Sequence, residues 1–244
     1  MWEMQVVSGL EVDKIISHGQ VLGCGCVGTA HLVRWHNNEA VIKLGHDGLL
    51  TRHDLEMEAY FMQKLNGAGG APRLLGVSYD PLCLVLSFEG HHTLQKLLKD
   101  HHLSDRYLGL IGLQICLRLQ EVHALGIIHY DLYPGNILVT LPHHLSLPPK
   151  INIIDFGMAS YTASTIAHLP SEDRYLALTN GGVNACPYTV KDDLKGLADM
   201  FLEHIFPSMQ EEAPLSARKV SVAASEGLVD NMDELVAGLR EAFL

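Results

Sequence analysis

Residues 127–157 concentrate the side chains of this chain whose types and spacing suit chemistry. Asp131 and Asn136 stand five positions apart in IIHYDLYPGNILV, in a loop marked by Pro134 and Gly135. Asp155 follows the apolar Ile151, Ile153 and Ile154 and precedes Phe156 and Gly157 in NIIDFG. Each of the three sits on a short loop anchored by a β-type apolar run. One carboxylate in such a loop can orient a hydroxyl. An amide and a second carboxylate can hold Mg²⁺, which takes oxygen ligands and keeps part of its water shell. Phosphoryl transfer asks little more of a protein than this positioning and charge neutralisation.

A second set lies upstream. Gly23, Gly25 and Gly28 in LGCGCVGTAHLV have G-x-G-x-x-G spacing, which lets backbone N–H groups approach phosphate without a Cβ in the way. The HLVRW that follows reads as a strand, whereas a dinucleotide fingerprint requires a helix there. Lys43 ends the apolar run EAVIK.

In this order the motifs resemble those of the protein kinase superfamily. HYDLYPGN is similar to its catalytic loop, and IIDFG to its metal-binding Asp-Phe-Gly. The resemblance implies Asp131 as catalytic aspartate, Asn136 as metal-binding asparagine and Asp155 as principal Mg²⁺ ligand. It also implies that Gly23, Gly25 and Gly28 cover the phosphates of ATP, and that Lys43 meets the α- and β-phosphates while pairing with a helix glutamate. Glu56 and Glu58 are both candidates for that glutamate. Glu58, with Leu65 two turns later on the same face, is the expected one. PLCLVLSFEG would enter a hinge, with Leu86 behind the adenine and Ser87, Phe88 and Glu89 offering backbone hydrogen bonds. His129 is implied as a scaffold residue behind Asp155, and Asp193 as the holder of catalytic-loop amides. ATP and Mg²⁺ are the implied cofactors, and a protein or small molecule bearing a hydroxyl the implied acceptor.

The chain also departs from the family pattern. Tyr130 stands where an arginine grips a phosphorylated activation loop, and Tyr133 where serine/threonine kinases place a lysine. No Ala-Pro-Glu follows Gly157, and only residues 207–244 follow the segment TVKDDLKGLADMFLEHIF. D-L-x-P-G-N occurs as well in aminoglycoside and choline phosphotransferases. Three readings follow: a protein kinase of serine/threonine type, a small-molecule phosphotransferase of the same fold, and a pseudokinase binding module. The complete set Lys43, Glu58, Asp131, Asn136 and Asp155 favours an enzyme.

For the elements that must position these residues, the resemblance implies an α+β, bilobal kinase-like fold. Its parts are a β-rich N-lobe (1–89), a truncated, mainly helical C-lobe (90–206), and a polar linker with a terminal helix (207–244). Alternation over 13–45 predicts a β-hairpin and a third strand. Helices are predicted over 54–65, at TLQKLL, over 105–124 and in VDNMDELVAGLREAFL. The long helix carries Gln114, Arg118, Gln120, Glu121 and His123, too polar a set for a bilayer. A net charge of −11 argues against a broad nucleic-acid or anionic-membrane surface. It does not argue against ATP, whose charge is met locally. MWEMQVVSGLEVDK lacks the basic-then-apolar pattern of a secretory signal. Cys24, Cys26, Cys83, Cys116 and Cys186 are odd in number and lack zinc-site spacing, which predicts free thiols in a reducing compartment, cytosolic or nuclear. The histidines other than His129 show no ligand constellation and are expected at the surface.

Overall fold

The computed structural model describes residues 5–144, 147–170 and 189–244. Residues 171–188, and with them Cys186 and most of the segment after Gly157, lie outside the described residues. The chain forms two compact units that divide after Glu89, with Ala68–Gly70 grouped with the second.

The first unit is a six-stranded sheet in the order β1-β5-β6-β4-β3-β2. Its strands are β1 (Gln5–Val6), β2 (Gln20–Cys24), β3 (Gly28–Trp35), β4 (Asn38–Gly45), β5 (Leu74–Tyr79) and β6 (Leu82–Ser87). β1 pairs parallel with β5, and the other pairs are antiparallel. His36 and Asn37 join β3 to β4 with φ of 45° and 69°, the positive-φ pair that a tight two-residue hairpin requires. This turn sets the β3–β4 register from Gly28↔Gly45 to Trp35↔Asn38 and so places Lys43 opposite Ala30.

Strand structure expected from residue 13 begins only at Gln20. Gly9–Ile16 is instead a helix, α1, capped by Ser8. Val12, Ile15 and Ile16 recur at helical spacing, and Val12 is buried in the core with Val33, Trp35, Ala40, Ile42, Cys83 and Val85. Helix α2 (Arg52–Leu65) starts two residues earlier than predicted because Thr51 and Asp54 form a capping box. Its buried face comprises Leu55, Met57, Glu58, Ala59, Phe61, Met62 and Leu65.

The second unit is mainly helical. Helices α3 (Leu94–Asp100) and α4 (Asp105–His123) precede two short antiparallel pairs, β7 (Ile127–Ile128) with β10 (Ser160–Tyr161) and β8 (Ile137–Thr140) with β9 (Lys150–Ile153). Helix α5 (Ala163–His168) follows β10, and α6 (Val190–Met200) runs into a π turn at Phe201–Ile205. Where a polar linker was expected over 207–226, Leu215–Ser225 forms helix α7. Ala217, Ser221 and Ala224 are buried on one face of it. The small residues that looked like linker composition permit close packing on the terminal helix α8 (Met232–Phe243), where Gly238 lies against Val220. Among the described residues no helix is long and apolar enough to cross a membrane.

Candidate active site

In the first unit, β4 and α2 bring Lys43 and Glu58 together. Lys43 Nζ donates to both Glu58 carboxylate oxygens, at 2.7 and 2.8 Å. The glutamate is 4% exposed and the lysine 18%, so the carboxylate is desolvated and its compensation by the ammonium is strong. Glu56 points elsewhere on α2 and pairs with Arg52 at 2.8 Å, exposed to solvent. The choice between the two glutamates is therefore made by which face of α2 is buried.

The glycine loop joins β2 to β3, closed by Gly25 N–H donating to Gly28 O at 2.9 Å. A Cβ at Gly23 would meet nothing within 4 Å, and one at Gly25 only the Gly28 carbonyl at 3.8 Å. A Cβ at Gly28 would lie 2.5 Å from Leu44 O. Gly28 thus serves strand packing, while Gly23 and Gly25 keep backbone open. At the end of β6, Leu86 is buried opposite Val41. The Ser87 N–H donates to Arg73 O at 2.9 Å, and its hydroxyl accepts from Arg73 N–H and donates to Glu89 Oε1, each at 2.8 Å. Its amide is committed within its own unit. Phe88 and Glu89 follow directly.

In the second unit the loop between β7 and β8 is held from α6. Asp193, 1% exposed, accepts from His129 N–H at 2.9 Å, Tyr130 N–H at 2.7 Å and His123 Nε2 at 2.7 Å. Tyr130 has φ of 66°, an uncommon conformation for a non-glycine residue that persists only where its surroundings over-determine it; the Asp193 carboxylate does so. His129 Nδ1 accepts from Asp131 N–H at 3.2 Å, which leaves the proton on Nε2 to donate to Ile154 O at 2.9 Å. The same ring stands edge-on to Phe156 at 4.7 Å between centroids. His129 thereby ties the Asp131 loop to the Asp155 loop.

Asn136 is buried and donates through Nδ2 to Asp131 O at 2.9 Å and Asp131 Oδ2 at 3.0 Å. The β8–β9 register, Ile137↔Ile153, brings Ile154 N–H onto Asn136 O at 2.9 Å. Asp155 comes next, half-buried, with φ of 65°. With its amide nitrogen committed to Asp131, Asn136 has Oδ1 to offer a cation. Together with the Asp155 carboxylate this is an all-oxygen donor set, which suits a hard cation such as Mg²⁺.

Tyr130 and Tyr133 are 38% and 45% exposed, and the Tyr133 ring fills the place a side chain at Gly135 would take. His123 was missed in the sequence. It lies on the face of α4 that carries Cys116 and Leu119, a helical spacing that turns its side chain largely away from solvent.

Residues 16–202 match the family described as protein kinase domain. A probable cAMP-dependent protein kinase catalytic subunit of Encephalitozoon cuniculi is 26% identical over 65% of this chain and 50% of its own length. Probable serine/threonine-protein kinase glkA of Dictyostelium discoideum is 29% identical over 46% of this chain and 23% of its own. Mouse homeodomain-interacting protein kinase 1 is 33% identical over 29% of this chain and 6% of its own. The chain thus spans half or less of the length of these curated relatives. The match runs from the end of α1 to the start of the π turn after α6 and takes in the lysine–glutamate pair, both loops and their buried anchor. The chain belongs to the protein kinase domain family.

Proposed function

We propose that the chain is an ATP-dependent protein kinase of serine/threonine type, transferring the γ-phosphoryl group of ATP to a hydroxyl. The observation that carries this reading is the buried, bidentate Lys43–Glu58 pair, because a desolvated glutamate that orients a lysine is costly to keep without a use for the ammonium. Lys43 would meet the α- and β-phosphates, and the backbone at Gly23 and Gly25 would lie over them. The backbones of Ser87, Phe88 and Glu89 would receive the adenine. Asn136 and Asp155 would hold Mg²⁺, which neutralises phosphate charge. Asp131 would orient the acceptor hydroxyl and take its proton. The serine/threonine assignment draws support from the name of the Dictyostelium relative. The free thiols Cys24, Cys26, Cys83 and Cys116 support a reducing compartment, cytosol or nucleus.

The test has two readouts. Mg·ATP at about a hundred times its dissociation constant adds roughly 2.7 kcal/mol of stability, seen as a raised melting temperature. ATP consumption is then measured with a mixture of peptides and with a panel of sugars and amino alcohols. Turnover with serine or threonine peptides supports the proposal. Turnover only with small alcohols assigns a small-molecule phosphotransferase, and stabilisation without turnover a pseudokinase. The absence of stabilisation in a folded sample overturns the nucleotide reading.

A further inference from the structure

Beside the groups assigned to nucleotide and metal, the base of the glycine loop carries a cluster of nucleophilic and titratable side chains. Cys24 ends β2 and is paired in register with Thr29 of β3. Thr29 Oγ1 lies 3.5 Å from Cys24 Sγ and 2.9 Å from His46 Nε2, and Nε2 lies 3.8 Å from Cys24 Sγ. The other ring nitrogen, Nδ1, is 3.3 Å from the Cys26 carbonyl oxygen, while His46 N–H donates to Val27 O at 2.8 Å. The imidazole is thus fixed by the backbone of the loop it serves.

A carbonyl only accepts, so Nδ1 carries a proton, and two arrangements of the remaining protons fit. In one, Nε2 is bare and accepts from the Thr29 hydroxyl, and the Cys24 thiol faces Gly25 O at 3.8 Å. In the other, Nε2 is protonated and donates to Thr29 Oγ1, and the hydroxyl turns to donate to a Cys24 thiolate. Both satisfy every donor in the cluster, so neither costs a hydrogen bond relative to the other. The step between them moves one proton from sulfur to imidazole and rotates one hydroxyl. The thiolate is the nucleophilic form of cysteine. Cys83 and Cys116 offer no such chemistry: burial pushes the Cys83 thiol up to about 11 and the Cys116 thiol up as well. Cys26, also exposed, meets the imidazole through its carbonyl and not its sulfur.

We propose that Cys24 is a thiol–disulfide exchange site on the glycine loop, activated by His46 and Thr29, which takes the disulfide of a small thiol and excludes Mg·ATP when modified. The Cys24 thiolate attacks one sulfur of the small disulfide. The new S–S bond forms as the old one breaks, and the departing thiolate takes the proton held on His46 Nε2. Cys24 is oxidised and the departing sulfur reduced, so no further oxidant is needed. The adduct sits between Gly23 and Gly25, where open backbone is kept. The exclusion of Mg·ATP rests on the function proposed above; the exchange itself does not.

The intact protein is incubated with oxidised glutathione, and adduct formation is followed at Cys24 and Cys26 by peptide mass spectrometry. Cys24 is expected to react about tenfold faster than Cys26, given an imidazole and a hydroxyl within reach to relay its proton, and dithiothreitol should reverse the modification. His46→Asn keeps a donor for the Cys26 carbonyl but removes Nε2, and should bring the Cys24 rate down to that of Cys26. Thr29→Val interrupts the same relay and serves if the histidine variant does not fold. Equal rates at the two cysteines, or an unchanged Cys24 rate in a folded relay variant, overturn the assignment. Melting with and without Mg·ATP is read separately on unmodified and modified protein. Stabilisation that persists in the modified protein overturns the exclusion. Its absence in the unmodified protein overturns the nucleotide reading and leaves the Cys24 chemistry standing on its own rates.

Discussion

Asp131 makes two contacts with Asn136, through its backbone and its carboxylate, and this constrains what a substitution there can do. In Asp131→Asn the new amide oxygen can still accept from Asn136 Nδ2, so the loop keeps its shape while losing the carboxylate that, on the proposed function, takes a proton. Turnover should fall by ~10²–10⁴-fold, the usual contribution of a general base, while Mg·ATP still raises the melting temperature. Asp155→Asn should lower turnover and weaken the Mg·ATP shift together, because the proposed function makes this carboxylate a cation ligand. Parallel turnover and melting measurements on both variants decide the matter; equal weakening of the ATP shift in the two would place Asp131 on the metal instead. The loop positions of Asp131, Asn136 and Asp155 were legible in the sequence because their spacing is set by short loops. His123 was not, since its role as a donor to Asp193 depends on a pairing across 70 positions, which no local pattern records.

At the scale of elements, β4 and α2 act as one device through Lys43 and Glu58. Breaking a buried ion pair from one side leaves an uncompensated charge, which typically costs 3–5 kcal/mol. Lys43 retains some solvent contact, so Lys43→Met should sit at the low end, about 3 kcal/mol, measured by urea unfolding. Glu58→Gln removes the buried charge and should cost less than the lysine variant. The reverse order would mean that Glu58 is held by other neighbours more than by Lys43. The strand positions of β3, β4 and β6 and the helix α2 were legible, since alternation and a cap signal are local. Helix α1 and helix α7 were not. In α1 the residues Val12, Ile15 and Ile16 admit both an alternating and a helical reading, and burial against Trp35 and Ile42 decides for the helix. In α7 small residues resemble a linker until a partner helix exists for them to pack on.

For the second unit as a whole, the C-terminal helices complete the core that carries the loop. Phe243 of α8 lies where a side chain at Gly109 of α4 would be, and Gln120 Nε2 donates to Asp233 Oδ1 at 2.7 Å further along the same pair of helices. Leu235 and Leu239 are buried and Phe243 is 9% exposed, so the terminal helix docks by its apolar face and is part of the folded unit. Gly109 and His123 are separated by about 21 Å of helix at 1.5 Å per residue, which places the Phe243 contact far from the loop that Asp193 holds. Phe243→Ala should therefore cost about 3 kcal/mol, the low end for a buried phenylalanine, and the Mg·ATP-induced rise in melting temperature should survive. Gly109→Ala should destabilise as well, by driving a methyl into the ring. Urea unfolding of both variants, with and without Mg·ATP, checks this. An unchanged unfolding midpoint in Phe243→Ala would show that α8 is dispensable to the unit. A lost ATP response in the folded variant would show that α4 transmits the contact along its length to the loop that Asp193 holds.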